Sequence, residues 1–557
     1  MDPKTIHNRR WAILGVLVIC LLVVILDNTI LNVALKTIQD DLDASQSQMQ
    51  WAVDSYALVF AGLLITWGVL GDRLGRRKVL LFGMLTFGAT SALCSFASSP
   101  LELILFRALM GIGAAAVQPQ TLSILQNVFE PHERGKAIGI WAGASGLAIA
   151  LGPITGGLLL KYFWWGSIFL VNVPIVIAGV VLIIWLVPDS KDPSPSRIDP
   201  LGVLLSMIGL VALVYGVIEG GNSNDWLAWN TLGAIVLGIA LLAVFVVQQR
   251  RTSHPTIDIS LFANRHFSAG SVAIAVTFFS LTGATFYLAY FLQAVRGYTP
   301  LSAGVALIAV AGAVMIAAPM SARLASRFGA RMVTGAGMTI FGVDFCLYAF
   351  STQTMPQWVI ELMMFGMGLG MGLTMSPATN AIMGAVPRAK AGAGSAVNNT
   401  VRQVASALGV AILGSIVAVV FRNDLGAAAP AKLAAELDRP AAVVTQLPAD
   451  QQVRPLVTRT ASQSIGNALE LVGQAATALE QRAASHPASP QQVEQARAAI
   501  GTFVAQSKTS FMSAMRITSV FAGLAVLVGA VVAFTFLPGR ERDVEVLFEP
   551  VAETVPV

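Results

Sequence analysis

Apolar residues in this chain come in blocks of about twenty, repeated from end to end, and that pattern leaves few folds open. An α-helix rises ~1.5 Å per residue, so roughly twenty residues cross the ~30 Å of hydrocarbon in a bilayer. Such blocks occupy residues 11–35, 51–70, 79–98, 102–125, 137–160, 167–187, 201–219, 230–248, 268–292, 301–322, 332–350, 358–376, 397–421 and 511–537. In lipid every backbone amide must be satisfied within its own segment, so each block reads as a helix. The expected fold class is therefore an all-α integral membrane protein with fourteen spans. Composition agrees: 55% of the 557 residues are hydrophobic and 12% are charged, about half the charge of an ordinary soluble domain.

Cys20, Cys94 and Cys346 all fall inside apolar blocks and read as small buried hydrophobes, not as a disulfide or zinc framework. The run from Trp11 to Leu35 is too long for a secretory signal and reads as the first span. With an even number of spans both termini fall on one side. The connections on that side hold 21 Lys and Arg, against only Lys36, Lys161 and Arg296 in the short connections opposite. Basic residues in short loops stay in the cytoplasm, so both termini are expected there, in a cell membrane. The same residues account for the basic pI near 9.2 without any nucleic-acid partner.

A weak repeat groups the spans. Gly68 to Arg77 reads Gly-Val-Leu-Gly-Asp-Arg-Leu-Gly-Arg-Arg, and Ala322 to Arg331 reads Ala-Arg-Leu-Ala-Ser-Arg-Phe-Gly-Ala-Arg. The copies follow the second and tenth spans, which predicts two six-helix bundles with two extra helices between them. The expected division is a cytoplasmic N-terminus (1–10), a first bundle (11–187), inserted helices (201–248), a second bundle (268–537) and a cytoplasmic tail (538–557). Residues 422–510, rich in Ala, Gln, Leu and Pro, read as an external helical hairpin before the last span.

Ionisable residues within spans cost roughly 2.5–3.5 kcal/mol on insertion scales, which makes them functional candidates. Asp27, Asp54 and Arg107 all lie within roughly 12 Å of the outer face at ~1.5 Å per residue, close enough for one outward-facing cavity. Desolvation favours a neutral carboxyl and a neighbouring guanidinium an ionised one, so Asp27 beside Arg107 can carry a proton as access alternates. Two readings of Asp54 stand: an attractor of cationic substrate near Tyr56, or an acid at the wet interface beside Trp51. Asp344, the acid well inside the second bundle's spans, is either a further proton carrier or a silent buried group. Arg402, with Asn398, Asn399 and Gln403, reads as joining helices or snorkelling.

Gly68, Gly71 and Gly75 permit close approach in a short inner loop, while Asp72 can cap a helix N-terminus and pair with Arg73 or Arg76. The cluster is the expected gate between bundles. Gly143, Gly152, Pro153, Gly156 and Gly157 give the fifth span a stripe with almost no side chain and a proline that withdraws an amide, which suits a kinked pivot. Phe279, Phe286, Tyr287 and Tyr290, with Met367 and Met371, recur at helical spacing as pocket candidates, and equally as core packing.

These residues carry a resemblance. Leu26-Asp27-Asn28-Thr29-Ile30-Leu31-Asn32-Val33-Ala34, Gly68 to Arg77, Arg107 with Gly111 and Gly113, and Gly152-Pro153 with Gly156-Gly157 resemble the motifs of the major facilitator superfamily, in particular its fourteen-helix drug/proton antiporters of bacteria. Met110 and Trp165-Gly166-Ser167 depart from that group's pattern, whereas Ile168 to Pro174 fits it. The resemblance implies a monomeric multidrug efflux transporter: small lipophilic or cationic substrates leave in exchange for protons, by rocking of two bundles, with the Asp27 carboxylate central to coupling. It implies no cofactor beyond the proton gradient, no enzyme activity and no metal. Independently, the chain lacks a Gly-x4-Gly-Lys-Ser/Thr loop for ATP. A carrier for one physiological solute, or a receptor acting through the hairpin, are the competing readings.

Overall fold

The computed structural model describes residues 3–44, 46–192, 199–223, 225–252, 255, 259–298, 300–426 and 490–539. All regular structure among them is helical. The α-helices are α1 (Pro3–Asp41), α2 (Gln46–Leu74), α3 (Arg76–Ser95), α4 (Pro100–Val128), α5 (Pro131–Tyr162), α6 (Ser167–Leu170), α7 (Asn172–Leu186), α8 (Pro200–Ser223), α9 (Trp229–Arg251), α10 (Arg265–Tyr290), α11 (Pro300–Ala306), α12 (Ile308–Phe328), α13 (Ala330–Leu347), α14 (Gln357–Gly384), α15 (Ala391–Leu425) and α16 (Pro490–Phe536). Among the described residues, 13 helical stretches are long and apolar enough to cross a membrane. The expected fifth span, α5, is 32 residues long but falls outside that set, so composition and length support thirteen of the fourteen expected crossings.

Local chemistry sets many of the boundaries. Ser99 caps α4 by accepting the Glu102 N–H at 3.3 Å, with Pro100 at the first helical position. Asn264 caps α10 through the His266 N–H at 2.9 Å. Residues 490–510, read as a helical part of the external hairpin, are continuous with the last span in the 47-residue α16. No proline interrupts 491–537, so an Ala- and Gln-rich helix runs on into the apolar stretch. The remaining hairpin residues 427–489, and 540–557 of the expected tail, lie outside the described residues.

The two copies of the sequence repeat adopt one conformation. Gly75 (φ 110°, ψ 122°) and Gly329 (φ 87°, ψ 151°) each occupy a backbone region open to glycine, and each starts the next helix at once. The chain leaving α7 then docks on the first turn, with the Arg76 N–H donating to the Ser190 carbonyl at 2.9 Å. The chain leaving α16 docks on the second, with the Arg331 N–H donating to the Pro538 carbonyl at 3.0 Å.

Helices from the two halves of the sequence meet mainly along α5 with α12 and α2 with α15. α8 and α9 pack on each other, and α8 also rests on α2 and α15. Both described chain ends emerge at one end of the bundle. Arg10 forks onto Glu133 at 2.8 and 3.0 Å, a Cβ at Gly135 would stand 3.6 Å from Ala322, and Pro538 sits on the turn after α12. We refer to this as the basic end. The Arg10 hydrogen bonds hold the Glu133 carboxyl below its ordinary range, against slight desolvation. Their contribution is thus full at neutral pH and lost as pH falls through that lowered value.

Close packing rests on small residues. Cβ atoms added at Gly283 and Gly409 would collide with the Gly409 and Phe279 carbonyl oxygens respectively, so α10 and α15 touch backbone to backbone. Gly409→Ala should therefore cost about 1–3 kcal/mol as overpacking, read as a melting temperature lower by several degrees in detergent. Gly312→Ala, where a Cβ meets nothing within 4 Å, should not lower it.

Candidate functional site

Asp27 is fully buried on α1, and its carboxylate gathers four other helices around it. Oδ2 accepts from Arg107 Nη1 of α4 at 2.5 Å, and Oδ1 accepts from Asn172 Nδ2 of α7 at 3.0 Å. The Arg107 guanidinium is itself buried; its Nε donates to the Ala52 carbonyl of α2 at 3.2 Å, and its Cζ lies 4.3 Å from the Tyr56 ring centroid. Asn28 Nδ2 donates to the Tyr56 hydroxyl at 3.2 Å, and Asn172 Nδ2 also reaches Ser91 Oγ of α3 at 3.1 Å. A bidentate-capable guanidinium, a carboxylate, an amide and an aromatic face thus form one network in which the pair is sealed from solvent.

The sequence brings Asp27 and Arg107 to one depth; the structure puts them in contact. It does not bring Asp54 to them. Asp54 is half-buried on α2, and the charge acting on it is Glu219 of α8, so the shared cavity expected for all three acids and bases is replaced by a pair and a separate acidic site. Asn172, central to the network, was passed over in the sequence reading. Its signal was a lone amide at the head of the strongly apolar stretch 172–187.

At the basic end Asp72 joins helices 320 residues apart. Its Oδ1 accepts from Arg76 Nε at 2.8 Å and from the Gly392 N–H at 2.8 Å, while Oδ2 accepts from the Ala393 N–H at 2.9 Å. The carboxylate therefore caps the N-terminus of α15, where free amides and the helix dipole favour an anion. Arg76 Nη2 adds a bond to the Arg388 carbonyl at 3.2 Å. Gly68 lets α2 lie against Gly392 and Ala396, Gly71 packs on the Gln120 side chain, and Arg73 is half-buried in the last turn of α2. Gln126 Nε2, donating to the Met383 carbonyl at 2.6 Å, and Ser376 Oγ, donating to the Gly135 carbonyl at 3.2 Å, tie the same end together.

α5 runs as one helix through residue 153. A Cβ at Gly143 would stand 3.5 Å from Met315 of α12, and one at Gly152 would strike Thr29 of α1. Gly156 is buried and Gly157 half-buried; the Pro153 side chain lies outside what is described.

The pocket candidates are dispersed. Tyr287 is buried, accepting a 2.9 Å hydrogen bond from Ser519 of α16, and Met367 and Met371 are buried in the core. Phe286 is exposed and meets Tyr290 edge to face at 5.3 Å, while the Phe279 backbone abuts Gly409. Asp344 is buried on α13 with Oδ2 lacking a hydrogen-bond partner among the described residues, and its Oδ1 occupies the space a Cβ at Gly366 would need. Among the described residues no group of His, Cys, Asp and Glu is arranged to hold a metal ion.

A multi-pass bundle with a charged network inside its apolar core is the architecture of a membrane transporter. Residues 17–410 match the Major Facilitator Superfamily, and the chain belongs to that family. It is 37% identical over 464 residues to the multidrug efflux pump LfrA of Mycolicibacterium smegmatis, a match covering 80% of this chain and 91% of that protein. It is 32% identical to the tetracenomycin C resistance and export protein of Streptomyces glaucescens, covering 74% of this chain and 77% of that one. Among solved structures it shares its fold with the human organic anion transporter MFSD10: the TM-score is 0.54 at 13% identity, over 75% of this chain and 94% of that one.

The capping geometry makes a local prediction. A capping side chain contributes about 0.5–2 kcal/mol relative to alanine, so Asp72→Ala should speed amide exchange at Gly392 and Ala393 roughly tenfold, measured by hydrogen-exchange mass spectrometry. Unchanged protection there would show that Asp72 does not hold α15.

Proposed function

We propose that this transporter exports small lipophilic or cationic compounds in exchange for protons, by alternating access. The observation that carries the reading is the sealed Asp27–Arg107 pair with its Asn172 and Tyr56 partners. A buried carboxylate is held ionised by an adjacent guanidinium and made neutral by desolvation, and the two tendencies are of similar size. Any motion that parts the pair and wets one side shifts that balance and lets a proton bind or leave. Asp344, without a charged neighbour among the described residues, is a second candidate for proton exchange.

The relatives named for multidrug efflux and for tetracenomycin C resistance and export support the direction of transport and the substrate class. The matched Gly75 and Gly329 turns support a division into bundles 11–187 and 268–537, with 201–248 inserted and α5 as the fourteenth crossing. On this reading the basic end is cytoplasmic, the Asp72–α15 contact is the inner gate, α5 against α12 is the pivot, and a monomer suffices. The contacts between sequence halves at the basic end fit a conformation shut on that side.

Asp27→Asn keeps an acceptor oxygen and the size of the side chain, so the protein should insert and remain monodisperse. In liposomes with an imposed pH gradient, its efflux of a lipophilic cationic dye should fall at least tenfold. Wild-type gradient-driven efflux would remove Asp27 from the coupling mechanism. A carrier dedicated to one solute would instead leave the accumulation of several unrelated dyes unchanged in cells expressing the wild-type protein.

A further inference from the structure

Arg402 lies where α15, α5 and α10 converge, outside every network described above. It is eleven residues from the basic-end terminus of α15; Trp141 is ten from that of α5 and Phe278 thirteen from that of α10, roughly 15–20 Å into the bundle at ~1.5 Å per residue. The guanidinium carbon stands 5.1 Å from the Phe278 ring centroid and 5.8 Å from that of Trp141. Trp141 is fully buried and fixed by its Nε1, which donates to Thr121 Oγ1 of α4 at 3.2 Å. Arg402 is only 9% exposed, yet among the described residues it has neither a carboxylate nor a hydrogen-bond acceptor. One turn earlier on the same face, Asn398 has a buried side-chain oxygen that is also unpartnered.

A buried carboxyl without a partner can take up a proton and become neutral, but a guanidinium has no such exit and stays charged. Aromatic faces recover part of the lost hydration of a cation and no more. Among the described acids within the spans, Asp27 is held by Arg107, Asp72 by Arg76 and α15, Asp54 lies near Glu219, and Asp344 packs against Gly366 without a partner, so none is bonded to Arg402. Among the described residues, then, no carboxylate supplies the counter-charge, which leaves that role open to a bound ligand. Transporters of this architecture bind near mid-depth between the bundles, and binding pockets are apolar with few, well-placed polar groups.

We infer that Arg402, flanked by Trp141 and Phe278, is the anion-accepting subsite of the transported molecule, taking the carboxylate or phenolate oxygen of an aromatic substrate whose rings lie against those two side chains. The planar fork of arginine matches a carboxylate edge. An ammonium would meet like charge there, so lipophilic cations would use other contacts. This assignment rests on the export reading and extends its substrate class to aromatic anions. It is tested by equilibrium binding, which does not depend on proton coupling and therefore fails or succeeds separately.

The probes are 2-naphthoate and 2-naphthylmethylammonium, which share a ring system and differ in charge, measured by calorimetry on the full chain in nanodiscs with gluconate in place of chloride. Wild type should bind naphthoate, Arg402→Gln should weaken it at least tenfold, and the ammonium should bind the variant no less well than wild type. Arg402→Lys keeps the charge without the fork, and Trp141→Phe keeps a ring without the N–H; each should weaken naphthoate several-fold, which preserves the test where the glutamine variant does not fold. The inference is overturned by naphthoate binding that is absent in wild type or unchanged in folded Arg402 variants. Arg402-dependent chloride binding without naphthoate binding would equally overturn it, assigning the position to a free halide.

Discussion

Burying the Asp27–Arg107 pair where hydrocarbon would otherwise lie is the constraint around which the first part of the bundle is arranged. Each ion carries a desolvation penalty that their attraction offsets only with good geometry and further hydrogen bonds. The surroundings supply both: the Asn172 amide on the second carboxylate oxygen, the Ala52 carbonyl on Arg107 Nε, and the Tyr56 ring over the guanidinium. Because the contributors stand on α1, α2, α4 and α7, the pair fixes how those helices are rotated.

The second organising element is the join between helices of the two sequence halves. At the basic end it is polar and directional, with the Asp72 carboxylate on the first amides of α15 and Gln126 on the carbonyls ending α14. Deeper in, it becomes a contact between small residues, as where Gly139 and Gly146 of α5 lie against Ala318 and Val314 of α12. Hydrogen bonds to a helix terminus break and reform as units, whereas small-residue surfaces slide at little cost. The combination suits a gate at one end and a pivot along the middle.

Much of the candidate site was legible in the sequence because charge inside an apolar block announces itself. Asp27, Arg107 and Asp344 were identified that way, Asp72 came from the loop motif Gly68 to Arg77, and Gly75 was matched to Gly329 by repeat spacing. Partners were harder to read. Asn172 and Trp141 are neutral, common side chains whose significance comes only from what they touch. Asp54 was grouped with Asp27 by depth, but depth says nothing of rotation about the helix axis, and it faces α8 instead. Residues 490–510 join the last span in one helix because polarity changes at residue 510 while helix propensity does not.

The sequence by itself determined that this chain is a bundle of membrane-crossing helices, roughly where each begins and ends, and which end is basic. Those properties are local: every helix closes its own backbone hydrogen bonds, and the length of an apolar run alone decides whether it can cross. Only the tertiary structure decided which buried charges meet, that Asp72 caps a helix 320 residues away, and that Arg402 stands between two rings without an acid among the described residues. Those outcomes depend on how each helix is rotated and packed against neighbours distant in the chain, and spacing along one helix does not encode that rotation.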